Sequence, residues 1–196
     1  MQLILSRLES SSDLKRSRYN QRPALTTLSY SFQAIMINND ILRRIRYALD
    51  LNDTTMIAIF ALSDYLLTRS ELLDFLKKDD AEGFVSLDNR RMNLFLDGLI
   101  IHKRGKQDNP VAKAPDIGLD NNAILKKLRI ALSFKEEDML NTLKLADFQL
   151  SKGELSAFFR QKDHKHYRQC GDQVLRNFLQ GLALHCRQSH NMNNAD

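Results

Sequence analysis

NNDILRRIRYALDLNDTTMIAIFALSDYLLTRSELLDFLKKDDAEGFVSLDNRRMNLFLDGLIIHKRGK, residues 38–106, is present in this chain twice. Residues 121–189 read NNAILKKLRIALSFKEEDMLNTLKLADFQLSKGELSAFFRQKDHKHYRQCGDQVLRNFLQGLALHCRQS, offset by 83 positions with no gap. Of the 69 aligned pairs 21 are identical, and others are like for like: Arg43/Lys126, Arg44/Lys127, Thr68/Ser151, Phe84/Tyr167. The duplication divides the chain into an extension (1–37), a first repeat (38–106), a linker (107–120), a second repeat (121–189) and a tail (190–196).

Each repeat carries four helical signals. Ile41, Leu42, Ile45, Ala48 and Leu49 fall on one face of a helix, as do Ile124, Leu125, Leu128, Ala131 and Leu132. Asn38 or Asn39 is placed to cap the first of these. A second helix starts at Asn52-Asp53 and at Glu136-Glu137-Asp138, where carboxylates suit the positive end of the helix dipole. Thr68-x-x-Glu71 and Ser151-x-x-Glu154 are capping boxes that open a third. Met92, Phe95, Leu96 and Leu99, paralleled by Leu175, Phe178, Leu179 and Leu182, form the buried stripe of a fourth. Gly98 and Gly181 interrupt that helix at a cost of about 0.5–1 kcal/mol each relative to Ala, which predicts close approach of a neighbouring helix.

No segment alternates as a half-buried strand does, so the predicted fold is all-α, a tandem duplication of a four-helix unit. Four short helices in about seventy residues make a marginal core alone. The two halves are therefore expected to pack together about an approximate twofold axis. Pro110, Pro115 and Gly118 mark the linker as a loop.

The apolar fraction of 43% and charged fraction of 27% are those of an ordinary globular chain. No apolar run is long enough to cross a bilayer, and two cysteines are too few for a disulfide scaffold, which points to the cytoplasm. The extension is rich in Ser and Arg and has no counterpart in the repeat. It reads as disordered or as lying upstream of a native start at Met36. The net charge of +5 is unevenly distributed: the first repeat is neutral and the second carries +5. Only the second half therefore has the electrostatic footprint of an anionic partner.

The paired NNDILRRIRYAL and NNAILKKLRIAL, the two FL-x-GL fourth helices, RGK at 104–106 and CGD at 170–172 together resemble the YehS-like bacterial proteins, a group of unknown function with a domain in tandem. The resemblance covers residues 36–189 and implies a bacterial, cytoplasmic, helical protein; it implies no reaction or ligand. The extension is atypical of that group, and Leu87-Asp88-Asn89 stands in the first repeat where Cys170-Gly171-Asp172 stands in the second.

Several residue groups invite chemistry. His164, His166, Cys170, His185 and Cys186 suggest zinc, but their spacing matches no standard zinc framework. The first repeat has Ala81, Gly83, Leu87, His102 and Lys103 in their places. A hydrogen-bonded histidine at the edge of the core accounts better for His102 and His185. Cys170 with His164 or His166 would be a nucleophile and base, without an evident oxyanion hole or orienting group. Asp64/Asp147 and Asp80/Asp163 could form an acid–base set, yet helix-end and turn chemistry explains them more simply. No phosphate-binding glycine motif occurs. No cofactor, metal or catalytic residue is assigned.

The remaining candidate is nucleic acid. Lys152, Arg160, Lys162, Lys165 and Arg168, with Tyr167 among them, are predicted to lie on the third helix of the second repeat and its exit, where they could neutralise phosphates. The corresponding surface of the first repeat carries Arg69 and Lys77 but also Asp74, Asp79, Asp80 and Glu82, which would repel phosphates. The chain thus reads as a non-enzymatic binding module for a protein or a nucleic acid. The alternative is a small enzyme or metal-binding protein using the His/Cys cluster of the second repeat.

Overall fold

The computed structural model describes residues 35–106 and 118–193, with side chains through 188. The extension before Ile35, most of the linker and the last three residues lie outside the described residues, as do the expectations placed on them. Among the described residues there are eight helices and no strand. In the first repeat these are α1 (Asn38–Ala48), α2 (Asp53–Ala61), α3 (Arg69–Leu76) and α4 (Asn89–Arg104). In the second they are α5 (Asn121–Ala131), α6 (Glu136–Leu145), α7 (Lys152–Ala157) and α8 (Asp172–Asn193).

Local chemistry sets the boundaries. Both capping boxes form: the Thr68 and Ser151 hydroxyls accept from the Glu71 and Glu154 N–H groups, and each glutamate accepts the cap N–H in return. Asn52 caps α2 by accepting from Thr55 N–H. At the start of α6 the Asp138 carboxylate accepts the Lys135 N–H at 2.7 Å. After α1, α2, α5 and α6 the chain turns through Asp50, Asp64, Ser133 and Asp147, all left-handed, with φ of 51°, 61°, 56° and 54°. Short polar side chains tolerate that conformation better than β-branched or bulky ones. Asp64 and Asp147 are thus helix-end turn residues.

The paired asparagines do something other than cap. Ile37 and Asp120 occupy the cap positions of α1 and α5, and Asp120 accepts from Ala123 N–H. The side chains of Asn39 and Asn122 instead point inward, buried, onto the connector between the third and fourth helices. Asn39 donates to the Phe75 and Val85 carbonyls and accepts from Leu87 N–H, at 2.9 Å each. Asn122 repeats this with Phe158, Arg168 and Cys170, all at 2.8 Å. A buried amide with matched partners organises an otherwise irregular segment, because leaving any of those groups unpaired would be costly.

The glycines mark helix crossings. A β-carbon on Gly98 would lie 1.9 Å from the Ile59 carbonyl oxygen, and one on Gly181 would lie 1.8 Å from that of Thr142. So α2 rests backbone to backbone on α4, and α6 on α8.

The repeats are not self-contained. The principal neighbour of α1 is α8, and that of α5 is α4; α1 with α4 and α5 with α8 touch far less. Each repeat lends its first helix to the fourth helix of the other. This reciprocity is the expected approximate twofold, and it places Phe60, Phe95 and Phe178 in one core cluster. Hydrogen bonds link the helix starts. Asn38 donates to Asn89 at 2.9 Å, Met36 N–H to Asp172 at 3.0 Å, and Asn121 to Asp172 at 2.7 Å. At the far ends Arg104 donates to the Ile130 carbonyl at 3.3 Å, and Arg187 lies over the Tyr47 ring at 4.5 Å. The four central helices α1, α4, α5 and α8 therefore run in roughly the same direction.

Candidate functional site

The basic residues singled out on the second repeat are exposed and most already have partners, and Tyr167 among them is half-buried. Lys152, which opens α7, approaches Glu136 and Glu137 at 3.8 and 3.7 Å. Lys162 pairs with Asp120 at 2.8 Å, and Arg168 with Glu154 at 3.3 Å. Arg160 lies 3.3 Å from the ring nitrogens of His164. Lys165 projects from the connector with no acidic partner among the described residues. The connector holds its shape through Tyr167 N–H to the His164 carbonyl and Arg168 N–H to the Ala157 carbonyl. Burial pushes the Asp120 carboxyl up, but hydrogen bonds from Lys162 and the Ala123 N–H outweigh it and hold the group below its usual range.

The histidines and cysteines do not converge. His164 and His166 are exposed, their rings 5.7 Å apart. Cys170 is buried at the end of the connector, its sulfur 3.8 Å from the Gly171 carbonyl. Burial, with Asp120 and Asp172 nearby, pushes its thiol up to about 12. A thiol so reluctant to ionise is a poor nucleophile. Among the described residues no three His, Cys, Asp or Glu side chains are grouped to hold a metal ion. His102, expected to sit hydrogen-bonded at the core edge, is exposed in the last turn of α4. His185 packs edge-on against Phe134 within the second repeat, with centroids 5.5 Å apart. The two positions match in sequence but face different surroundings: the first repeat has Leu51 where the second has Phe134.

Two further features lie where the repeats meet. A cleft of about 980 Å³ opens between the end of α1 and α8, bordered by Arg43, Arg46, Tyr47, Lys103, Cys186 and Arg187. A smaller one of about 390 Å³ lies between α5 and α4, bordered by Arg104, Lys126, Arg129, Ile130, Phe134 and Phe159. The 83-residue offset relates them: Arg43 to Lys126, Arg46 to Arg129, Tyr47 to Ile130 and Arg104 to Arg187. No motif marks these cations in the sequence. Their near-identity in both copies was the signal available.

The arrangement defines a class of protein: a duplicated all-α unit in which each copy completes its core with a helix from the other. A family model described as a protein of unknown function (DUF1456) matches residues 38–105 and again 121–188, and the chain belongs to that family. It is 44% identical over 148 residues to the uncharacterized protein YehS of Escherichia coli (strain K12), across 76% of this chain and 95% of that one. No solved structure matches. No helix among the described residues is long and apolar enough to cross a membrane.

Proposed function

We propose that the chain is a non-enzymatic binding module of the cytoplasm whose partner is a nucleic acid. The observation that carries this reading is the segregation of charge. The first repeat is neutral, the second carries +5, and that excess includes exposed Arg160, Lys162, Lys165 and Arg168 around one connector. Their pairing with Asp120 and Glu154 does not oppose it. Surface ion pairs are worth only about 0–1 kcal/mol, so a phosphate can displace a carboxylate there at little cost. The withdrawn Cys170 thiol argues against the enzyme alternative, and the scattered histidines against the metal-binding one.

Binding of labelled mixed-sequence RNA or DNA to the full chain tests the reading. Affinity should fall steeply between 50 and 200 mM salt, as counterion release requires. Absence of salt-dependent binding would overturn it.

A protein partner is the second reading, supported by a different surface. On the first repeat Leu62, Leu66, Leu73 and Val85 are exposed, Leu66 to 87%. Leu145, Gln149, Ser156 and Arg168 take their places in the second repeat. Substituting Leu66 and Leu73 by serine should leave nucleic-acid binding unchanged while removing a protein partner held there.

A further inference from the structure

We infer that the cleft between α1 and α8 is a binding site for single-stranded nucleic acid, with one base stacked at Tyr47 and the flanking phosphates held by Lys103 and Arg187. This rests on the nucleic-acid reading above and adds to it a place and a strand form.

Charge comes first. Arg43, Arg46, Lys103 and Arg187 border the cleft against a single acid, Asp50. The smaller twin has Arg104, Lys126 and Arg129 and no acid. Helix dipoles account for part of this, since Arg46 and Lys103 stand in the last turns of α1 and α4. They do not account for Arg43, mid-helix in α1, or for Arg187, more than a turn before α8 ends at Asn193.

The cations then divide by availability. Arg43 is held by the Lys77 carbonyl and Asp40. Arg46 is held by the Leu51 carbonyl and Asp53. Lys103 and Arg187 have no acidic partner among the described residues, and both are exposed. They are the groups a phosphate would meet.

The aromatic decides the strand form. Tyr47 is 62% exposed, although neighbouring Ala48 is buried, and its ring lies under the Arg187 guanidinium at 4.5 Å. An aromatic face beside a planar guanidinium, with a lysine nearby, is the arrangement on which an unpaired base stacks. A duplex keeps its base faces inside the stack and would meet this concave site only through its phosphates. Reading bases in a groove needs an element that projects into it, whereas Tyr47 borders a recess. The twin cleft has Ile130 at this position and lacks the platform, so only the α1–α8 cleft stacks a base.

The test measures anisotropy of a labelled single-stranded 20-mer and the matching duplex with the full chain, at 50 and 200 mM salt. The single strand should bind the more tightly. Tyr47→Ala should weaken it about tenfold, as loss of one stacked base does, with Tyr47→Phe near wild type. Lys103→Glu with Arg187→Glu should abolish the preference for single strands, whereas Lys165→Glu with Arg168→Glu should lower single-strand and duplex binding alike. Urea midpoints show whether each variant is folded, and Tyr47→Phe keeps the ring if Tyr47→Ala proves unstable. Equal affinity for both forms, or cleft variants indistinguishable from wild type while the connector variant loses binding, would overturn the cleft and leave the nucleic-acid reading standing. Displacement of the oligonucleotide by polyglutamate at equal charge concentration would point to an acidic protein segment and overturn the strand assignment. Absence of oligonucleotide binding by the wild type would overturn both.

Discussion

Gly181 and Thr142 are in contact through their backbones: a β-carbon on Gly181 would sit 1.8 Å from the Thr142 carbonyl oxygen. Neither carbonyl nor helix can yield that distance without moving α6 off α8. Gly98 stands in the same relation to Ile59.

In an exposed helix Gly→Ala stabilises by about 0.8–1 kcal/mol. Here the sign should reverse. Gly181→Ala and Gly98→Ala should each cost about 1–3 kcal/mol through overpacking, read as a lower urea midpoint. An unchanged midpoint in either variant would mean the crossing is looser than the geometry states.

Asn39 and Asn122 hold their connectors through two donated bonds and one accepted bond each. Alanine at either position leaves buried backbone groups unpaired, at about 1–3 kcal/mol per group. Amide exchange at Leu87 or Cys170 should accelerate in the corresponding variant. Asn39→Asp should not rescue, because a carboxylate offers no donor to the Phe75 and Val85 carbonyls.

Because α1 leans on α8 and α5 on α4, we propose that the folding unit is the pair of repeats. Residues 38–106 expressed alone should lack a cooperative thermal transition or should dimerise, one copy supplying the missing partner helices. A monomeric, cooperatively folded single repeat would contradict the reciprocal packing.

The buried Cys170 should not react with Ellman's reagent in the native protein at pH 8, since its thiol is pushed up to about 12. Half-buried Cys186 should react faster, and both should titrate in denaturant. A raised folded value also sets a sign. The contribution of Cys170 to stability is full below the unfolded thiol value of about 8.5 and falls as pH rises from there toward 12. Cys170→Ser should flatten that alkaline decline.

At the acid end the sign is opposite. Glu71 is held low by the Thr68 hydroxyl and N–H, Glu154 by the Ser151 N–H and hydroxyl, and Asp120 by Lys162 against the effect of burial. Carboxyls held below their unfolded values stabilise the fold above about pH 4, and this is lost as pH falls through the folded values. Lys162→Met should therefore lower Tm by up to a few degrees at pH 7 and flatten its decline below about pH 4, the variant and the parent converging in acid.

Much of this fold was legible in sequence because the signals were local. A capping box joins groups three residues apart, and an apolar stripe records burial whatever lies opposite, so Thr68, Ser151 and the Met92–Leu99 face could be read directly. The mid-helix glycines were legible as crossings because a glycine there opposes helix propensity and needs a reason. Asn38 or Asn39 reads as a cap of the first helix, since an asparagine at a helix start looks the same whether its amide turns to the local backbone or, as for Asn39, reaches Val85, 46 residues away. His102 and His185 share a register position, yet His185 meets the Phe134 ring where the first repeat has Leu51.

By itself the sequence determined that the protein is two copies of one four-helix unit, where most helices begin and which faces are buried, because these follow from short-range spacing and capping. Only the tertiary structure decided which copy completes which core. The apolar face of α1 would meet the like-patterned stripe of α4 or of α8, and spacing within a repeat carries no record of the exchange. That choice brings Tyr47 of the first repeat under Arg187 of the second, so the cleft they border exists only once the two repeats have traded helices.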